Sequence, residues 1–137
     1  MQITSGQHPE KLTILVADDE ESLRDIAGRV LQHAGYEVIV VSGGAEAIEA
    51  LAARGSEIRL VITDVVMPGV GAEGILAYLR EHGRSETPVI CTSGYAASHV
   101  SSEWTDGPNV QLLRKPYSLQ ELLRLVETAL SDTERQG

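Results

Sequence analysis

The stretch Arg59-Leu60-Val61-Ile62-Thr63-Asp64-Val65-Val66-Met67-Pro68-Gly69 decides the fold of this chain. It begins as a short apolar run and passes through one acidic residue, Asp64, into a Met-Pro-Gly turn. An apolar run of this length that ends at turn residues is typical of a buried strand in a parallel sheet. Asp64 is therefore predicted at the carboxyl end of a strand, which is the edge of an open α/β sheet where ligands bind.

Four further apolar runs flank this strand, and helical patterns separate them. The predicted strands are 12–17, 36–41, 59–63, 88–92 and 110–113, and the predicted helices are 23–34, 45–54, 73–82, 97–103 and 119–130. Strands and helices that alternate at this spacing imply right-handed βαβ crossovers. We therefore predict an α/β fold, a flavodoxin-like (βα)5 doubly wound sheet of five parallel strands in the order 2-1-3-4-5.

The ends of the first and last helices carry recognisable capping residues. Ser22 is a candidate N-cap for the first helix, and Gly35 suits its C′ position. Ser118 and Glu121 have the spacing of a capping box at the start of the last helix. The apolar positions expected to face the core are Leu23, Ile26, Ala27, Val30, Leu31 and Ala34 in the first helix and Leu119, Leu122, Leu123, Val126 and Leu130 in the last.

Composition narrows the class of protein. The 137 residues suit one domain at 12–131, with residues 1–11 as a flexible N-terminal arm and 132–137 as a frayed tail. A net charge of −9 repels nucleic acid, so this chain is not expected to bind it. No apolar run approaches the length of a membrane span, and the first residues do not show the pattern of a signal peptide. The single cysteine, Cys91, is expected in the core and suits a reducing compartment, so we predict a cytoplasmic protein.

Five polar residues follow strands whose carboxyl ends meet at one sheet edge. Asp18 and Asp19 follow the first strand, Asp64 the third, Ser93 the fourth and Lys115 the fifth. Two carboxylates about 4 Å apart repel by about 4 kcal/mol at an effective dielectric near 20, so three of them predict a bound cation, Mg²⁺ above all. A hydroxyl and an ammonium beside that cation suit phosphoryl transfer, with Asp64 as the nucleophile.

The same residues carry a family resemblance. From about residue 12 to 130 the chain resembles a response-regulator receiver domain, the CheY-like phosphoacceptor module of two-component signalling. The motifs that carry the resemblance are Asp18-Asp19 after the first strand, Asp64 in Thr-Asp-Val-Val-Met-Pro-Gly, Ser93 in Ser-Gly-Tyr, and Lys115-Pro116. The sequence around Asp64 and Ser93 is most similar to receivers associated with hybrid sensor histidine kinases.

The resemblance implies a regulatory phosphoprotein and not an enzyme. Asp64 would accept a phosphoryl group from the phosphohistidine of a sensor histidine kinase or a histidine phosphotransfer domain. Ser93 and Lys115 would contact that group, and the Lys115–Pro116 peptide bond would be cis. The resemblance also implies self-phosphorylation from small phosphodonors, slow autodephosphorylation, and a surface that switches binding to a downstream partner or a fused kinase.

The resemblance also implies the ligands of the metal ion. Asp18 or Asp19, together with Asp64 and the backbone carbonyl of Val66, would bind Mg²⁺.

Two positions depart from the family pattern, and two alternative functions stay open. Gly71-Ala72 stands where receivers commonly carry Asp-Gly or Ser-Gly, and Leu112 stands where the family usually has a switch aromatic, three residues before the lysine. One alternative is an interaction module that works without phosphorylation. The other is an aspartate-nucleophile phosphohydrolase, which is disfavoured because Val66 occupies the position of the second acid.

Overall fold

The computed structural model of the protein describes residues 11–94 and 109–136, with side chains as far as residue 131. The strands are β1 Thr13–Ala17, β2 Glu37–Val41, β3 Ile58–Asp64, β4 Val89–Ser93 and β5 Val110–Arg114. The helices are α1 Glu21–His33, α2 Gly44–Arg54, α3 Ala72–Glu81 and α4 Leu119–Gln136. Each predicted strand end lies within one residue of the observed one. The helix predicted at 97–103 lies outside the described residues.

The five strands form one parallel sheet in the order β2-β1-β3-β4-β5, as predicted. Pairing in register continues to the carboxyl ends of the strands, where Ala17 is paired with Thr63, and Ser93 with Arg114. Because all strands run the same way, the residues that end or follow β1, β3, β4 and β5 meet at a single edge. The fold thus builds the predicted site from four separate parts of the sequence.

Helices cover both faces of the sheet and create two hydrophobic cores. On one face, α2 and α3 contribute Ala47, Leu51, Ala72, Ile75 and Leu79; on the other, α1 and α4 contribute Ala27, Leu31, Leu122, Val126, Ala129 and Leu130. The central strand β3 is buried at every position except Arg59, which explains why its sequence is almost continuously apolar. Among the described helices, none combines the length and apolar composition that crossing a bilayer requires.

The start of α1 differs from the prediction. The helix begins at Glu21, and within the described residues no side chain caps it, so the assignment of Ser22 as the N-cap is wrong. The carboxylate of Asp18 instead accepts the backbone N–H of Glu20 at 2.9 Å, which places an acid just before the helix. At the other end Gly35 has φ 106°, the left-handed conformation expected of a C′ glycine.

Three residues predicted to face the core are exposed. Ile26 is 46% exposed because it lies about 100° around the helix from its neighbour Ala27, which is buried. Leu119 is 42% exposed because it is the first residue of α4, whose buried side begins with Leu122. Ala34, the C-cap residue that follows α1, is exposed as well.

The last helix begins as predicted and extends further than predicted. Ser118 Oγ accepts the N–H of Glu121 at 3.0 Å, and Glu121 Oε1 accepts the N–H of Ser118 at 2.9 Å, which is the predicted capping box. The sequence suggests an end near Leu130, whereas the helix continues to Gln136. Residues 131–136 contain no glycine or proline that would stop a helix.

Candidate functional site

The carboxyl edge of the sheet brings the predicted acidic residues together. Asp18 follows β1 directly and Asp64 is the last residue of β3. One carboxylate oxygen from each of Asp18, Asp19 and Asp64 lies within 4.8 Å of the other two. Asp18 and Asp64 are largely buried, at 5% and 9% exposure, whereas Asp19 is exposed. Three carboxylates at this separation form a strongly negative oxygen-lined site that is open to solvent on the side of Asp19.

Lys115 supplies positive charge to this cluster. Its Nζ donates a hydrogen bond to Asp64 Oδ2 at 3.1 Å and lies 3.5 Å from Asp18 Oδ2. It also lies 3.6 Å from Oε1 of Glu20, a residue that the sequence reasoning left out of the site. The run of acids from Asp18 to Glu21 is the signal that could have indicated it. One ammonium therefore compensates several carboxylates, and the cluster keeps an excess of negative charge.

The backbone around Asp18 is fixed by three hydrogen bonds. Its N–H donates to the carbonyl of Val41 at 3.2 Å, and its Oδ1 accepts the N–H of Glu20 at 2.9 Å. Its carbonyl accepts a hydrogen bond from Nη1 of Arg24 at 2.8 Å. Arg24 is thus a structural support of the site, and in the sequence nothing distinguishes it from a surface arginine of α1.

Ser93 presents a buried hydroxyl to the same place. The residue is 2% exposed, and its Oγ has no hydrogen-bond partner among the residues that the structure describes. Its carbonyl accepts the backbone N–H of Lys115 at 2.7 Å, which ties the ends of β4 and β5 together. An open cavity lies beside the hydroxyl and is lined by Glu20, Asp64, Val65, Val66, Ser93, Gly94 and Lys115. An unpaired buried hydroxyl is costly unless a ligand or water satisfies it, so this side of the cavity can accept a hydrogen-bonding group.

Burial and charge shift the acid–base properties of the site. Burial raises the pKa of Asp64, and the carboxylates of Asp18 and Asp19 add to this effect, although the hydrogen bond from Lys115 opposes it. For Lys115, burial alone would lower the pKa, but its hydrogen bond to Asp64 and the surrounding carboxylates raise it. The ammonium form of Lys115 is therefore strongly favoured at neutral pH.

The structure shows the surroundings of Gly71 and Leu112, at the two positions that depart from the family pattern. A Cβ on Gly71 would lie 2.8 Å from the carbonyl oxygen of Val65, so a side chain here requires the loop to shift. Leu112 is 38% exposed on β5, in register with Cys91. The Lys115–Pro116 peptide bond is cis, as expected.

Comparison with known proteins identifies the family. The family model for the response regulator receiver domain matches residues 14–127. The chain belongs to this family. A similar curated protein is the DNA-binding transcriptional regulator NtrC of Rhizobium meliloti (strain 1021), 32% identical over 124 residues, which are 90% of this chain and 25% of NtrC. Another is the sensor kinase CckA of Brucella abortus (strain 2308), 33% identical over 118 residues, which are 86% of this chain and 12% of CckA. The receiver thus spans a quarter or less of these two relatives.

Solved receiver domains share the fold. A response regulator receiver domain protein from Clostridium thermocellum has a TM-score of 0.82 at 25% identity, covering 91% of this chain and 98% of that one. The receiver domain of the hybrid histidine kinase CckA has a TM-score of 0.72 at 29% identity, covering 86% and 98%. The predicted family and fold are therefore confirmed.

Membership of the family sets the general role. Receiver domains are regulatory modules of two-component systems, and they interact with histidine kinases or phosphotransfer proteins. They bind Mg²⁺ through an acidic pocket, and in this chain Asp18, Asp19 and Asp64 form an acidic cluster whose geometry is suitable for a metal ion.

Proposed function

We propose that this receiver is a Mg²⁺-dependent phosphoacceptor in which Asp64 takes a phosphoryl group from the phosphohistidine of a sensor histidine kinase or a histidine phosphotransfer domain. The observation that carries the proposal is the placement of the Asp64 carboxylate. It lies 3.1 Å from the Lys115 ammonium, beside two further acids, and next to a cavity lined by the Ser93 hydroxyl, which has no hydrogen-bond partner among the described residues.

In the proposed reaction, a carboxylate oxygen of Asp64 attacks the phosphorus atom and the P–N bond to the donor histidine breaks. The electron pair of that bond stays with the imidazole, which takes a proton. The nucleophile must be ionised, and the ammonium of Lys115 favours the ionised form against the effect of burial. The reaction depends on positioning and charge neutralisation more than on covalent machinery.

The residues present fit Mg²⁺. Hard divalent cations prefer oxygen ligands, and the cluster offers carboxylate oxygens whose negative charge Lys115 balances only in part. We assign the ion to Asp18, Asp19 and Asp64, with the backbone carbonyl of Val66 as a further ligand. When bound, Mg²⁺ neutralises charge on the oxygens of the phosphoryl group and of the acids.

Ser93 and Lys115 have separate tasks in this proposal. The hydroxyl of Ser93, buried and without a partner among the described residues, donates its hydrogen bond to a phosphoryl oxygen. The ammonium of Lys115 pairs with another phosphoryl oxygen while the backbone hydrogen bond to Ser93 keeps the two residues together. Phosphorylation thereby draws β4 and β5 toward Asp64, and this change would alter a surface for a downstream partner or a fused kinase.

The proposal extends to the remaining expectations from the sequence. Residues 12–131 act as the receiver unit, in the cytoplasm, without binding nucleic acid. Small phosphodonors phosphorylate Asp64 and the phosphoaspartate hydrolyses slowly, since Val66 offers no carboxylate to act as a general base. The same absence disfavours the phosphohydrolase alternative.

The decisive experiment is phosphorylation of the purified chain by acetyl phosphate with Mg²⁺, followed by intact mass spectrometry. We expect a mass gain of one phosphoryl group in the wild type and none in Asp64→Asn. The matched control is Asp25→Asn, which changes an exposed aspartate of α1 and should show the full gain. EDTA should abolish the gain. A wild-type protein that gains no mass, or an Asp64→Asn variant that gains as much, contradicts the proposal.

An interaction module that works without phosphorylation is the second candidate, and Leu112 is the observation that favours it. Without a ring at this position of β5, the usual route from Ser93 to the surface is missing. Amide NMR shifts on adding beryllofluoride and Mg²⁺ separate the two functions. Shifts that reach β5 support the switch, whereas shifts confined to the surroundings of Asp64 support the second candidate.

A further inference from the structure

We propose that Gly44, Val70 and Gly74 form a clamp that positions the loop 65–71, and through it the Val66 carbonyl, for metal binding. We call these three residues the glycine clamp. The inference rests on the proposed Mg²⁺ site, and it assigns a function to residues outside that site. Gly44 is the first residue of α2, Val70 lies in the loop between β3 and α3, and Gly74 lies in the first turn of α3.

The clamp consists of one hydrogen bond and two close approaches. The N–H of Gly44 donates to the carbonyl of Val70 at 3.1 Å, which uses one of the N–H groups that a helix start leaves without an intrahelical partner. A Cβ on Gly44 would overlap with that carbonyl oxygen and would lie 2.7 Å from Val70 Cγ1. A Cβ on Gly74 would lie 2.6 Å from the same Cγ1. The backbone of Val70 therefore reaches its position because residue 44 is a glycine, and the glycine at position 74 leaves room for its side chain.

The other end of the loop is also fixed. The N–H of Val65 donates to the carbonyl of Thr92 at 2.9 Å, and the carbonyl of Val65 accepts the N–H of Ala72 at 3.3 Å. Between Val65 and Val70, the side chain of Met67 is buried, while Val66 is 59% exposed and lines the cavity. The backbone of Val66 is thus held between two anchors, one on β4 and one on α2.

A methyl group at Gly44 tests the anchor on α2. Because the overlap is with the Val70 backbone, Gly44→Ala must displace the loop and not merely rotate a side chain. Gly43 provides the matched control, since no described atom lies within 4 Å of a Cβ at that position and its φ of −168° is open to any residue. The two variants differ by one position and by the contact that the proposal invokes.

Gly74→Ala tests the clamp in a second way. Its overlap is with the side chain of Val70 alone, so Val70→Ala should relieve it in the double variant. The same truncation should not rescue Gly44→Ala, because the carbonyl of Val70 remains. This contrast separates the backbone contact from the side-chain contact.

The measurement is Mg²⁺ affinity of the full chain by isothermal titration calorimetry, well below the melting temperature of each variant. We expect Gly44→Ala to weaken binding by about ten-fold, the effect typical of groups that orient metal ligands, and Gly43→Ala to bind like the wild type. In the metal-free protein, amide NMR shifts of residues 65–71 should change in Gly44→Ala and not in Gly43→Ala. A residue that only supports stability would lower the melting temperature, and could shift these amides, without changing the Mg²⁺ affinity.

The outcomes distinguish the clamp from the phosphoacceptor function. If the wild type binds Mg²⁺ and is phosphorylated while Gly44→Ala has wild-type affinity, the clamp is refuted and the function stands. If the wild type does neither, the proposed function itself fails. If Gly44→Ala does not fold, the Mg²⁺ affinities of Gly74→Ala and of the double variant with Val70→Ala are compared instead, with the single variant Val70→Ala as the reference. A double variant that binds Mg²⁺ no better than Gly74→Ala refutes the clamp.

Discussion

Removing the charge of Asp64 should stabilise the metal-free protein. At an effective dielectric near 20, unit charges 4.8 Å apart repel by about 3.5 kcal/mol, so Asp18 and Asp19 together oppose the Asp64 charge by about 7 kcal/mol. The attraction between the Lys115 ammonium and the Asp64 carboxylate, 3.1 Å apart, stabilises the ionised form of Asp64 by about 5 kcal/mol at the same dielectric. Burial further disfavours the charge of Asp64, whereas solvent screening at the exposed Asp19 weakens the repulsion between Asp19 and Asp64. In Asp64→Asn, Lys115 keeps its contacts with Asp18 and Glu20.

We therefore expect Asp64→Asn to raise the free energy of unfolding by about 1–2 kcal/mol at pH 7 in EDTA. Urea denaturation followed by circular dichroism measures it, and Asp25→Asn, an exposed site, should stay within about 0.5 kcal/mol of the wild type. An Asp64→Asn variant less stable than the wild type would refute the reasoning, because attraction to Lys115 would then dominate.

The pH dependence provides an independent check. Folding raises the pKa of Asp64, so the folded state binds its proton more tightly and the ionised carboxylate opposes folding. Below the ordinary aspartate pKa of about 3.9 this cost is absent, and it develops as the pH rises through the raised pKa of the folded state. The advantage of Asp64→Asn over the wild type should therefore shrink as the pH falls from 7 toward 4. A constant difference across this range would show that the variant acts through packing and not through charge.

Three further predictions concern the same protein. Mg²⁺ at ten times its Kd should raise the free energy of unfolding of the wild type by about 1.4 kcal/mol, and that of Asp64→Asn by less at the same concentration. Melting experiments in Mg²⁺ and in EDTA measure both changes, and equal changes would contradict the assigned ligands. Lys115→Met should lower the stability of the metal-free protein by about 1–3 kcal/mol in urea because the surrounding carboxylates lose their shared ammonium, and added Mg²⁺ should recover part of it. Ser118→Ala should cost about 1 kcal/mol through loss of the capping box, whereas Ser22→Ala should cost much less because Ser22 does not cap α1; similar losses would contradict the assigned caps.

The order of elements and the convergence of the site could be predicted because both depend on local pattern and on the rules of parallel sheets. An apolar strand that ends in Asp64 indicates the sheet edge without any tertiary information. Ser93 and Lys115 follow from the same logic, since each comes at the end of a predicted strand. Their roles toward a phosphoryl group stay predictions.

The errors and omissions concern contacts that local pattern does not determine. Ser22 has the residue type of an N-cap, but Asp18, which follows β1, already supplies an acceptor just before the helix. Arg24 supports the site only because α1 packs where its side chain reaches the carbonyl of Asp18. In the sequence, Gly43 and Gly44 cannot be told apart, since both lie at the break between a strand and a helix. Only the close approach of the 65–71 loop distinguishes Gly44, because an alanine there would require the loop to move.

The burial of Cys91 has a practical consequence. The thiol is fully buried on β4, and burial, together with the nearby charge of Asp64, raises its pKa to about 12. At pH 8 only about one molecule in ten thousand would carry the reactive thiolate in the native state. Because the sequence contains one cysteine, alkylation by iodoacetamide can report the opening of β4 without an added label. Comparing the rate of modification with and without Mg²⁺ or beryllofluoride would measure how strongly a ligand at the sheet edge suppresses the opening of β4, the strand that carries Ser93.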